Sequence, residues 1–148
     1  MNNIFSIVLI VVIFVAIYFS GQLLHKSENQ TERVIYIDSP ACSPVMSSCV
    51  TEFDEGDIVV HFLQQPSALK PFDVEVLTRG FDASRISITF VMNNMDMGFN
   101  FFNLQQQKNK IWQVEAILPV CGLARNDWIA EVSIKYKDKI LRADYAFE

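Results

Sequence analysis

A chain of 148 residues, 51% hydrophobic and 20% charged, has room for one folded domain of ordinary size once an apolar N-terminal stretch is set aside, which excludes a second soluble domain. The formal net charge of −5, from 12 Lys plus Arg against 17 Asp plus Glu, comes without any basic run. The chain therefore lacks the positive surface that offsets phosphate repulsion, and no nucleic-acid partner is expected.

The segment IFSIVLIVVIFVAIYFSGQLL, residues 4–24, carries no group charged at neutral pH. Its length matches a helix that crosses a bilayer and satisfies its own backbone hydrogen bonds. A cleaved signal peptide would begin with a basic region, and MNN has no side-chain charge, so residues 1–24 read as an uncleaved transmembrane anchor. Lys26 and Arg33 are mixed with Glu28 and Glu32, which leaves the positive-inside bias silent. Residues 25–40 read as a membrane-proximal linker or arm, with Val34–Ile37 as a short strand or extended stretch.

Cys42 and Cys49 bracket SPVMSS at a spacing that can close a short loop, which suits an oxidising compartment. With 3 cysteines in all, pairing of Cys121 with either of the early two, or three reduced thiols, stay open. Anchor and cysteines together predict a single-pass protein of the bacterial inner membrane with its C-terminal domain, residues 41–148, in the periplasm.

Beyond the turn-like FDEGD the apolar residues alternate with period two, the mark of half-buried strands. Ile58, Val60 and Phe62 share one face against Val59, His61 and Leu63. Phe72, Val74 and Val76 alternate with Asp73 and Glu75, and Ile86, Ile88 and Phe90 with Ser87 and Thr89, Met92 keeping the register. Further strands are expected at Phe99–Gln105 and Ile111–Leu118. In WIAEVSIKY, Trp128, Ala130, Val132, Ile134 and Tyr136 face one way, and Leu141, Ala143, Tyr145 and Phe147 form the inward row of a closing strand after the KDK turn. No stretch after residue 24 holds a 3.6-residue apolar period over three turns. About seven such strands predict an all-β, immunoglobulin-like sandwich preceded by one transmembrane helix. Trp128, Val132, Ile134, Phe90, Val74 and Tyr145 are expected in its core.

The motif VMNNMDMGFN concentrates Met92, Met95 and Met97 in six positions of a chain with 5 methionines. On a regular strand they could not all point one way, but a bend at Gly98 lets them converge. Thioethers favour monovalent copper over hard cations, and Cys121 and His61 are the candidate partners. The competing reading is plain packing, since methionine fills irregular gaps and lies against rings such as those of Phe99, Phe101 and Phe102. No triad with an elbow motif, HExxH, phosphate-cradling glycine loop or Cys-x-x-Cys pair is present, so no enzyme is expected.

The order of anchor, cysteine segment, strands, NNMDMGFNFFNL and AILPVCGLARNDW resembles membrane-anchored periplasmic proteins with FixH-like or YtkA-like immunoglobulin-type domains. Position by position the resemblance singles out Met95, Met97, Gly98, Asn100, Pro119, Cys121 and Trp128. It implies a role in copper handling or respiratory-oxidase assembly, with copper held by the Met-rich loop and another membrane or periplasmic protein as partner. The alternative is a non-catalytic, metal-independent interaction subunit of such a complex, binding through exposed apolar loops around Phe99–Phe102 and Leu123.

Overall fold

The computed structural model describes residues 9–18, 33–37, 41–45, 47–92, 95, 100–120 and 125–148. The chain divides into two compact units, Met1–Thr31 and Glu32–Glu148. In the first, residues 9–18 are helical. No helix among the described residues is long and apolar enough to cross a membrane. This corrects the expected transmembrane helix, and with it the placement of the chain as a single-pass protein of the inner membrane with a periplasmic domain. The rest of the segment read as the anchor, residues 1–8 and 19–24, lies outside the described residues, as does most of the 25–40 linker.

Among its described residues the second unit has ten strands: β1 Arg33–Tyr36, β2 Cys49–Phe53, β3 Gly56–Phe62, β4 Pro71–Arg79, β5 Arg85–Met92, β6 Phe101–Asn103, β7 Gln105–Gln106, β8 Ile111–Ile117, β9 Trp128–Tyr136 and β10 Lys139–Phe147. They form two five-stranded sheets in the orders β1-β10-β9-β5-β6 and β2-β3-β4-β8-β7. The first is mixed, because β1 runs parallel to β10 while the other pairings described are antiparallel. The expectation of two packed sheets is thus met by a mixed two-sheet β-structure, without the membrane helix that completed the predicted architecture.

Strict alternation makes the core. In β3 and β4 the buried set is Ile58, Val60, Phe62, Phe72, Val74, Val76 and Thr78, with the intervening residues facing outward. In β9 and β10 it is Trp128, Ala130, Val132, Ile134, Leu141, Ala143, Tyr145 and Phe147. All six residues expected in the core are buried there. At one end of the interior, Phe62 lies 5.2 Å from Phe147, 5.5 Å from Phe72 and 6.1 Å from Phe90, between ring centroids. Such tilted and edge-on pairs contribute about 0.5–1.5 kcal/mol each beyond area burial, so this end of the domain has a stiff floor.

The expected strand Phe99–Gln105 is two short strands. Phe101–Asn103 pairs with β5, buried Leu104 turns inward, and Gln105–Gln106 joins β8 of the other sheet. The polar QQKNK that follows contains a 3-10 turn at Lys108–Lys110, with Asn109 and Lys110 at positive φ.

Candidate functional site

Of the five predicted copper ligands, Met92, Met95 and His61 are among the described residues. Met92 ends β5, is 2% exposed and pairs across the sheet with Trp128. Met95 folds back on it, its amide donating to the Met92 carbonyl at 3.1 Å, and packs against the core. These two are brought together as packing residues. His61 lies on the outer face of β3, opposite Glu75 of β4, with its neighbours Val60 and Phe62 pointing inward. It therefore faces away from the interior that holds Met92, and its Nδ1 is buried with no hydrogen-bond partner. Met97 and Cys121 lie outside the described residues. Among the described residues no group of three His, Cys, Asp or Glu could hold a metal ion. Copper binding finds no support among the described residues: Met92 is buried in the core, and His61 lies on the other face of its sheet.

A different feature occupies the same end of the domain. A cleft of about 580 Å³ is lined by Ser43 and Val45 from the cysteine loop, Gln65 after β3, Asp127, Trp128 and Ile129 at the start of β9, and Ala146, Phe147 and Glu148 at the end of β10. That volume is in the range of clefts that enclose a small ligand or a few residues of peptide. One wall is fixed covalently, since Cys42 and Cys49 form a disulfide with Cα atoms 5.7 Å apart. The same loop is tied to β3 by the amide of Phe62, which donates to the Pro44 carbonyl at 3.0 Å.

The backbone of β10 gives the cleft its chemistry. The amide of Ile37, just past β1, donates to the Arg142 carbonyl at 2.8 Å, so Arg142 turns its backbone groups toward β1. Because those groups alternate sides along a strand, Ala146 turns its N–H and C=O the same way, about 13 Å further on. The β1 ladder covers Lys139–Arg142, and no strand among the described residues pairs with Ala146 on that side. Ala146 is one of the residues that line the cleft. Its side walls are short or apolar, with Ile129 beside Ala146 in the β9–β10 ladder.

Electrostatically the cleft is quiet. Arg125 forms a two-point pair with Asp127, its Nε donating to Oδ1 at 2.8 Å and an Nη to Oδ2. That hydrogen bonding holds the Asp127 carboxyl below the usual aspartate range. Gln65 donates to the Glu148 carbonyl at 3.2 Å and ties the rim across the opening. Among the described residues that line it there is no histidine, cysteine or lysine, so these present a hydrocarbon floor, a neutral backbone edge and carboxylates at the rim. This arrangement can bind an extended chain; its described residues hold no nucleophile paired with a base.

Two residues of this site had a signal in the sequence that strand reading passed over. In WIAEVSIKY the outward face is Ile129, Glu131, Ser133 and Lys135, and in DYAFE it includes Asp144 and Ala146. An apolar residue and a small one stand side by side at the end of two paired strands, next to the charged outward pair Glu131 and Asp144. Val45 and Gln65 carry no such signal, because loops 41–48 and 63–70 only become neighbours through the fold.

No family model matches the sequence, and no curated protein matches it. A crystal structure of an engineered protein is similar at 13% identity over 60% of this chain, with a TM-score of 0.43. The chain spans 19% of that protein's length, and so slight a likeness informs neither fold nor function.

Proposed function

We propose that this chain is a non-catalytic, metal-independent protein-binding module that takes a short extended segment of a partner into the cleft, as an added strand beside the end of β10. The observation that carries this reading is a cleft of about 580 Å³ lined by Ala146, whose backbone groups turn to the side of β10 away from β9. An unpaired strand edge is a template for another chain. Main-chain hydrogen bonds to such an edge give affinity, and alternate side chains of the guest read the walls. One guest side chain would meet Ile129 on the outer face and the next would meet Val45 and Phe147, so small or apolar residues at alternate positions suit it. Cation ligation has no part in this mode.

The test is selection of peptides from a displayed random library on the immobilised chain, followed by binding measurements with two variants. Ala146→Pro removes the edge donor without breaking the β9 ladder, since the Ala146 amide faces away from β9. Ile129→Asp puts a charge on the wall. Peptides with alternating apolar residues that bind saturably, with affinity lost in both variants and unaffected by a chelator, support the reading. Failure to enrich any sequence, or selected peptides that bind both variants as well as the starting protein, contradicts it.

A further inference from the structure

The outer face of the sheet β2-β3-β4-β8-β7 carries a pattern that the cleft does not use. Cross-strand register places Val50 opposite Val59, Val59 opposite Leu77, and Leu77 opposite Ile111. One apolar residue from each of four adjacent strands thus forms a continuous row on a face that points away from the core, and Val50 at its end is 42% exposed. A solvent-facing sheet row normally reads polar. The rows on either side are charged: Glu52 and Asp57 lead to Arg79 on one side, and His61, Glu75 and Gln113 lie on the other, with Asp73 opposite Glu115 beyond them. Asp57 is engaged by Arg79 at 3.4 Å and Glu75 by Gln113 at 2.8 Å, while Glu52 and Glu115 are exposed.

We infer that this face is a docking surface for a protein segment with an apolar ridge flanked by lysine or arginine, such as one face of a basic amphipathic helix. Carboxylates outnumber the single guanidinium of Arg79 among the outward residues of these strands, so the face is acidic around an apolar stripe. Charge complementarity then selects a cationic partner and disfavours a second copy of this chain, which would set like charges against each other across an apposed pair of such faces. Burial of the stripe supplies affinity and the flanking charges fix register, with an electrostatic share that weakens as salt rises.

The test uses the intact chain and a fluorescent synthetic helix peptide with a leucine stripe flanked by lysines, beside an analogue with glutamate for lysine. Saturable binding of the lysine peptide is expected, weakened several-fold between low and physiological salt. The pair Val59→Thr/Leu77→Thr keeps β-favouring residues in the strands and should lower affinity about tenfold by removing apolar contact. Glu52→Gln/Glu115→Gln, at exposed positions that leave the fold alone, should weaken the lysine peptide and reduce its salt dependence. Ala146→Pro, in the separate cleft, should change neither. The inference is overturned if no saturable binding occurs, if the glutamate peptide binds as well, or if binding survives both sheet-face pairs unchanged.

Discussion

The hydroxyls of Thr51 and Tyr145 lie 2.7 Å apart in the interior, and both residues are at most 1% exposed. Thr51 belongs to β2 and Tyr145 to β10, so this hydrogen bond ties the two sheets through the core. Each hydroxyl is the partner that makes burial of the other tolerable. Tyr145→Phe should therefore destabilise the domain by about 1–3 kcal/mol, because it strands the Thr51 hydroxyl. Adding Thr51→Val should recover much of that loss. A double-mutant cycle in urea measures the coupling; additive effects of the two substitutions would show that the bond does not act as a pair.

The same tyrosine sets a limit in alkali. Burial pushes the Tyr145 phenol up to about 12, a shift that the Thr51 hydrogen bond opposes. Since the folded chain holds this proton more tightly than the unfolded chain, its contribution is fully present below pH 10 and is lost as pH rises from about 10 to 12. The loss should reach about 2 kcal/mol at the upper end. Tyrosinate absorbance of the starting protein minus that of Tyr145→Phe isolates the phenol and should show its late titration, coincident with unfolding.

Gly56 and Gly80 should resist substitution for a backbone reason. Gly56 has φ +153°, and a Cβ there would stand 2.0 Å from the carbonyl oxygen of Arg79. At Gly80, with φ +87°, a Cβ would stand 2.7 Å from the carbonyl oxygen of Glu55. Gly56→Ala forces β3 and β4 apart at the start of their ladder. It should cost at least about 2 kcal/mol by chemical denaturation, more than the usual effect of adding a methyl group at an exposed turn.

The disulfide should matter for both stability and the cleft. Closing a loop between residues seven apart in sequence restricts the unfolded chain by about 2–3 kcal/mol in the chain-entropy account. Reduction, or Cys42→Ser/Cys49→Ser, should lower stability by that order. It should also weaken binding of a cleft peptide, because Ser43 and Val45 form one wall. Calorimetric unfolding and peptide titration of the same samples would separate the two effects.

Period-two alternation carried most of the fold legible in the sequence, because inward residues such as Val74, Val132 and Tyr145 have no polar alternative in their rows. It could not show that β1 joins β10 in parallel, since Val34, Ile35 and Tyr36 are all exposed and alternation is silent on an edge strand buried on neither face. It also ran Phe99–Gln105 together, because the inward turn at Leu104 changes sheets without changing the apolar spacing. The methionine reading shows the limit for sites. Met92 was rightly placed in register with Ile88 and Phe90, but proximity in sequence to Met95 and chemical affinity with His61 said nothing of which side of which sheet each would face. The cleft was nearly invisible for the same reason: its walls come from four separate segments.

The most direct measurement of the central claim is amide hydrogen exchange at Ala146, with and without a saturating peptide selected on the chain. Strand addition beside β10 requires the Ala146 N–H to acquire an acceptor from the guest, so its exchange should slow by at least about tenfold. The amides of Leu141 and Ala143, which face β9, should change little. An Ala146 amide whose exchange is the same in the free and saturated protein would show that no strand is added there, and would contradict the account.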